Sequence, residues 1–165
     1  MKPFADTSLL CALYRRQDNT DEADALVARF DEPLCISSLV AFEFRQSARL
    51  QVFRFSNDRT QGFSKAEAER MLGKFELNLA SGAVEILPVD WGDVHSLAER
   101  LSARKTMGNG HRTLDVLHVA TAIHAGLQTF LTFDGNQAAL ARSEGLQLLG
   151  CQGSDITNTP EREIR

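Results

Sequence analysis

The chain has 165 residues, of which 43% are hydrophobic and 24% charged, the composition of one ordinary globular domain and not of a tail or a string of domains. A domain of this length buries roughly 70% of its unfolded surface and needs no covalent staples. Eighteen Lys and Arg residues against 22 Asp and Glu residues give a net charge of −4, which taken alone argues against a nucleic-acid partner, whose phosphates ask for a basic footprint.

Three cysteines, Cys11, Cys35 and Cys151, are an odd number set far apart, with no CxxC pair and no histidine at finger spacing. That pattern suggests neither a disulfide framework nor a zinc site. Cys11 and Cys35 stand among apolar neighbours and are expected to be small buried hydrophobes. The N-terminus reaches Asp6 before an apolar signal segment can form, and no apolar run approaches the roughly 20 residues that span a bilayer. The expectation is a cytoplasmic protein with reduced thiols and no membrane contact.

Short apolar runs alternate with longer amphipathic stretches, as in an open, mostly parallel α/β sheet with crossover helices. The expected order is β, α, α, β, α, α, β, α, α, β, α, β. A first strand, Lys2 to Ala5, is followed at once by Asp6-Thr7-Ser8 and the helical Leu9 to Leu13. A helix from Thr20 to Phe30 carries Asn19 and Glu22 at capping-box spacing. Pro33 separates it from the strand Leu34-Cys35-Ile36, and Ser37-Ser38 offers N-cap oxygens to a long helix, Leu39 to Phe55. Ser64-Lys65-Ala66-Glu67 is a capping box opening a helix to Leu79, and Val84 to Leu87 is the third strand. Asp90 to Lys105 has helical period, Thr106 to Gly110 reads as a loop, and Thr113 caps an apolar helix that Gly126 closes in the left-handed conformation. Thr129 to Phe133 is a buried strand, Asn136 to Ser143 a helix and Leu146 to Leu149 a last strand. Residues 1–150 thus form the domain, and 151–165 a polar tail.

In an open α/β sheet, ligands gather where the carboxyl ends of strands meet helix N-termini. Asp6 and Asp134 directly follow strands, Glu43 lies about one turn into the helix after the second strand, and Asp115 lies in the first turn of the Thr113 helix. An acid at such a place has a purely local explanation, since a helix N-terminus stabilises a carboxylate by about 0.3–1 kcal/mol. That explanation suits Asp6 and Asp134, because Asp is a preferred N-cap. It suits Glu43 and Asp115 less, because both are embedded in apolar sequence, where a charge is not buried without a partner. Two carboxylates ~4 Å apart repel by about 4 kcal/mol at an effective dielectric near 20, so four converging acids call for a positive charge among them. An all-oxygen set with no cysteine suits Mg²⁺ or Mn²⁺, and such an ion points to phosphodiester hydrolysis.

At these residues the sequence resembles the PIN-domain nucleases, and most closely the VapC-type toxins of toxin-antitoxin pairs. The matching pieces are Phe4 to Ser8, Ser37 to Glu43, Arg112 to Ala122 and Phe130 to Ala141, in an order that covers Lys2 to Gly150. The resemblance implies a three-layer PIN-like fold with a central, mostly parallel sheet flanked by helices. It implies a metal-dependent endoribonuclease, with Mg²⁺ or Mn²⁺ held by the pocket acids Asp6, Glu43, Asp115 and Asp134, an RNA substrate and a cognate antitoxin. Thr132 matches the family's hydroxyl position, with a role in orienting an acid or a water, while Arg112 and Asn136 fall beside the motifs as substrate contacts. The stretch from Gln51 to Gly82 is longer than in compact members. The other readings are a non-catalytic PIN module that binds RNA or a protein, and a phospho-acceptor receiver domain. A receiver needs paired acids after the first strand and a late Lys, and Asp6-Thr7-Ser8 and Asp134-Gly135-Asn136 supply neither.

His118, three residues after Asp115, is read as orienting a neighbouring group, and His124 as interacting with its helix's C-terminus. Phe42, Phe44, Phe53, Phe55, Phe63 and Phe75 crowd the middle third, more than one helix stripe buries, which leaves a homodimer or an antitoxin groove as an alternative to the core. Arg100, Arg104, Lys105 and Arg112 form a stretch without acids, and Arg45 and Arg49 stand behind Glu43. These bases flank two of the four acids, as RNA phosphates require. With the four pocket acids set aside, the remaining 18 acids equal the 18 Lys and Arg residues, so the overall charge says little about the partner.

Overall fold

The twelve elements follow one another in the order expected from the sequence. In the computed structural model, which describes residues 2–150, they are β1 (Pro3–Ala5), α1 (Thr7–Tyr14), α2 (Thr20–Val27), β2 (Leu34–Ile36), α3 (Ser38–Asn57) and α4 (Lys65–Ser81). There follow β3 (Val84–Ile86), α5 (Trp91–Asn109), α6 (Thr113–His124), β4 (Thr129–Leu131), α7 (Gly135–Ser143) and β5 (Gln147–Leu149). Cys151 and the polar tail lie outside the described residues.

The strands form one sheet in the order β3-β2-β1-β4-β5, with every pair parallel. From β1 the chain steps outward to β2 and β3, then returns across the sheet to β4 and β5 on the other side of β1. Right-handed crossovers turn that reversal into a change of face, with α1 to α4 over one side and α5 to α7 over the other. The helix contacts follow the same division: α1 packs on α2, α3 and α4, while α6 packs on α5 and α7. The result is the expected three-layer arrangement. In the sheet's centre Phe4 of β1 is level with Phe130 of β4, and their rings stack with centroids 5.5 Å apart.

Beneath α1, α3 and α4, Tyr14, Phe44 and Phe75 form an aromatic triangle with centroid separations of 5.0–5.5 Å, edge-on or tilted as ring quadrupoles favour. Asn78 donates to the Tyr14 hydroxyl at 2.8 Å, satisfying its polar end. Of the six central phenylalanines, Phe44, Phe63 and Phe75 enter the core, while Phe42 and Phe53 on α3 stay 59% and 63% exposed. Cys35 is fully buried as expected, whereas Cys11 is half-buried, its thiol 3.7 Å from the Ser47 hydroxyl.

Four local readings are corrected. α5 runs through Thr106 to Asn109, expected as loop, and ends at Gly110, which adopts φ 67°. Gly108 inside a helix costs only about 1 kcal/mol relative to alanine, less than the packed helix regains. α2 ends at Val27, and Asn19 makes no side-chain cap. Instead the Thr20 hydroxyl accepts from the Gln17 N–H and shares its proton between the Ala12 and Arg15 carbonyls, tying α2 to the end of α1. Finally, Arg112 and not Thr113 is the N-cap position of α6, because Asp115 reaches back to accept the Arg112 N–H at 3.1 Å.

Candidate active site

The strand order reverses at β1 and β4, and at such a switch point the two flanking connections leave in opposite directions and open a crevice at the carboxyl edge. Asp6 emerges there from β1 as the N-cap of α1, and Asp134 follows β4 as the N-cap of α7. Glu43 stands in the second turn of α3 and Asp115 in the first turn of α6. These four carboxylates, from four separate segments, line one cleft of about 500 Å³ whose other walls include Arg112 and Gln137.

Asp6 is buried, with 1% exposure, and is surrounded by donors. Ser8 donates to it at 2.7 Å, the Leu9 N–H at 3.0 Å and the Thr132 hydroxyl at 2.7 Å. The two hydroxyls are themselves fixed, Ser8 accepting the Phe133 N–H and Thr132 the Asp134 N–H. Burial nevertheless outweighs these bonds and the nearby His118, and pushes the Asp6 carboxyl up to about 6. Thr132 is fully buried and joins two of the acids, donating to one and capping the backbone of the other. Thr132→Val keeps the shape, removes both bonds and strands the Asp134 N–H, so we expect a loss of about 1–3 kcal/mol of unfolding free energy, measured by urea denaturation.

Glu43 accepts from the Thr7 hydroxyl and from His118 Nε2, the latter at 2.7 Å. Burial opposes its charge, but the bonds from His118 and Thr7 together prevail and hold the carboxyl below its ordinary 4.5. His118, 1% exposed, thus orients a neighbouring acid, as its position in sequence implied. Asp115 and Asp134 share a cation of the chain's own: Arg112 donates from Nε to Asp115 at 3.1 Å and from its terminal nitrogen to Asp134 at 2.8 Å. Gln137 braces the same pair, its side chain donating to Asp115 at 3.3 Å and its backbone N–H to Asp134 at 3.0 Å.

A family model, the PIN domain, matches residues 4–157. The chain belongs to the PIN domain family. Among solved structures, this PIN domain superposes on VapC20 of Mycobacterium tuberculosis, described as a sarcin-ricin loop cleaving toxin, with TM-score 0.62 and 19% identity over 84% of this chain and 94% of that one. It also superposes on FitAcB of Neisseria gonorrhoeae, with TM-score 0.63 and 20% identity over 88% and 95% of the two chains. VapBC2 of Rickettsia felis, solved bound to a DNA fragment from its promoter, gives 0.61 and 18% over 90% and 98%. At these identities the likeness establishes a common fold. No curated protein matches the chain.

Of the residues singled out in the sequence of this PIN domain, the four acids and Arg112 share the cleft, and Thr132 lies behind Asp6. Asn136 is not among the cleft's walls: its side chain bonds His111 Nδ1 at 3.0 Å and so ties α7 to the segment before α6. Three of the other basic residues are engaged elsewhere. Arg45 pairs with Glu76 at 2.8 Å across the Phe75 ring, and Arg104 and Lys105 both meet Glu144, at 3.1 and 3.9 Å. Sequence reasoning missed Thr7, Ser8 and Gln137 as site residues. Thr7 and Ser8 stood in the matching piece after the first strand without a role of their own, and nothing in a linear pattern announces that Gln137 reaches Asp115.

Proposed function

We propose that this PIN domain is an endoribonuclease dependent on Mg²⁺ or Mn²⁺, acting as the toxin of a toxin-antitoxin pair. The observation that carries the reading is the convergence of Asp6, Glu43, Asp115 and Asp134 on one cleft at the switch point of the sheet. The likeness to VapC20, described as a sarcin-ricin loop cleaving toxin, supports it. The donor set suits a hard dication, since all four side chains offer oxygen, and these four residues would hold it. Such an ion supplies polarisation of a phosphoryl oxygen and a more acidic water.

The chain's own groups have distinct parts. Ser8, Leu9 and Thr132 fix the Asp6 carboxylate in one orientation. His118 and Thr7 keep Glu43 ionised and in place. Arg112 is 69% exposed on the cleft wall, compensates Asp115 and Asp134, and presents the planar fork that suits an RNA phosphate. Cleavage is expected to leave a 5′-phosphate and a 3′-hydroxyl, to stop in EDTA and to return with excess Mg²⁺ or Mn²⁺, as read on labelled RNA by gel. Turnover that persists undiminished in EDTA refutes the metal requirement.

Phe42 and Phe53 lie eleven residues apart on α3, three turns along one stripe, and with Leu50 they give the proposed antitoxin or a second copy of the chain an apolar surface. No helix among the described residues is long and apolar enough to cross a membrane, and both described thiols are free, which suits the cytoplasmic setting proposed.

One observation favours the non-catalytic reading. Among the described residues, no three His, Cys, Asp or Glu side chains are arranged to hold an ion as they stand, and Arg112 already neutralises two of the acids. A binding module predicts RNA affinity that survives EDTA with no turnover under any divalent cation.

A further inference from the structure

A second cavity, of about 430 Å³, lies between α5 and the start of α6, and Thr113 forms part of its wall as well as part of the acid cleft. We propose that this cavity binds a base of single-stranded RNA next to the phosphodiester at the acids, with preference for bases that carry an exocyclic amino group. The proposal rests on the ribonuclease reading and names a specificity subsite for it.

Four observations converge. First, His95, Glu99, Ser102 and Thr106 recur at i, i+4, i+7 and i+11 along α5 and all line the cavity, the first two exposed at its rim and the last two half-buried, so the helix gives it a polar wall. Second, the Thr106 hydroxyl is buried with no hydrogen-bond partner in the structure. A buried polar atom in that state is satisfied by an ordered water or by a bound group. Third, His111 is 7% exposed and anchored through Nδ1 to the Asn136 side-chain oxygen at 3.0 Å. An amide oxygen only accepts, so Nδ1 carries a proton, and in the neutral ring Nε2 is the acceptor. Fourth, His95 lies against Trp91 with ring centroids 6.1 Å apart, a contact that holds its imidazole at the rim.

The charge of the walls selects the ligand. No Lys or Arg lines the cavity and Glu99 is the one acidic residue there, so a phosphate is disfavoured. A flat, uncharged group with N–H donors is favoured, and recognition of unstacked bases by side-chain stacking and edge hydrogen bonds is the usual mode for single-stranded RNA. A carboxylate accepts from an exocyclic amine such as cytosine N4. Adenine, cytosine and guanine carry such an amine and uracil does not. Thr113, shared by both cavities, and Leu117, one helical turn or about 6 Å further along α6, set the path from phosphate to base.

The test is fluorescence polarisation of the full chain, in EDTA to prevent cleavage, with short oligocytidylate, oligoadenylate and oligouridylate. A second arm cross-links 5-iodocytidine RNA and maps the modified peptides. We expect oligocytidylate and oligoadenylate to bind about tenfold more tightly than oligouridylate, Glu99→Ala to reduce that ratio to within about twofold, and cross-links in residues 95–106 or 111–117. Thr106→Val, with no charge change, is expected to weaken all oligocytidylate binding severalfold. Equal affinities in the wild type, or cross-links confined to other peptides, overturn the subsite and leave the ribonuclease reading standing. A wild type that binds no RNA overturns both. Protection of these peptides by a copurifying protein and not by RNA assigns the cavity to a protein contact and overturns the proposal.

Discussion

Asp115→Asn is expected to lower metal-dependent RNA cleavage by at least about a thousandfold while leaving the fold in place. The substitution removes one negative charge from the cleft and keeps the volume. The asparagine amide still offers an oxygen for the Arg112 N–H, so the first turn of α6 keeps its cap. The lost ion pair with Arg112 is solvent-screened, because that arginine is 69% exposed, and the expected change in unfolding free energy stays within about 1 kcal/mol. Asp6→Asn, at the opposite wall, is expected to act in the same way on cleavage. Steady-state cleavage of a fluorogenic RNA, with thermal melting by circular dichroism as the control for folding, measures both. If both variants cleave like wild type, the carboxylates are not the catalytic site.

Asp6 also links the cleft to pH. Its carboxyl is raised by burial from the ordinary 3.8 to about 6, so the folded protein holds a proton that the unfolded chain has released between those values. Stability of the metal-free protein is therefore greatest below that window and falls as pH rises through it, by up to about 3 kcal/mol from this group alone. Glu43 acts in the opposite sense, since its carboxyl is held below 4.5 and its contribution is lost as pH falls further. The interval between pH 5 and 6 consequently reports Asp6, and the difference between wild type and Asp6→Asn isolates it. A divalent cation must displace the Asp6 proton, so its affinity is expected to fall about tenfold per pH unit below 6. Urea midpoints in EDTA across that interval, and calorimetric titration with Mn²⁺ at two pH values, test the two halves. A flat difference curve between pH 5 and 6 would show that the buried Asp6 is ionised throughout.

Much of this was legible in the chain because it rests on local chemistry. The alternation of short apolar runs with amphipathic stretches determined all twelve elements in order. Ser37 and Ser64 cap α3 and α4, and Gly126 takes φ 69° just past α6, as their side chains or lack of one require. The misreadings are local too. Thr106 to Asn109 contains the glycine that suggested a loop, yet packing on α6 carries α5 through it. Asn19 has the cap-forming side chain, but the neighbouring Thr20 found better partners in α1.

The acids show where that legibility stops. By itself the sequence determined which carboxylates stand after strands or in apolar helices, and that Glu43 and Asp115 needed partners. Only the tertiary structure decided which distant partners: His118 and Thr7 for Glu43, and Gln137, added to the local Arg112, for Asp115. It also withdrew Arg45, Arg104 and Lys105 from the proposed RNA surface, by pairing them with Glu76 and Glu144. The physical reason is one of range. Capping, periodicity and burial preference are set by neighbours within a turn or two, whereas the pairing of Glu43 with His118 joins residues 75 positions apart. Such a contact exists only after the strand order β3-β2-β1-β4-β5 has brought the carboxyl ends of β1 and β4 together.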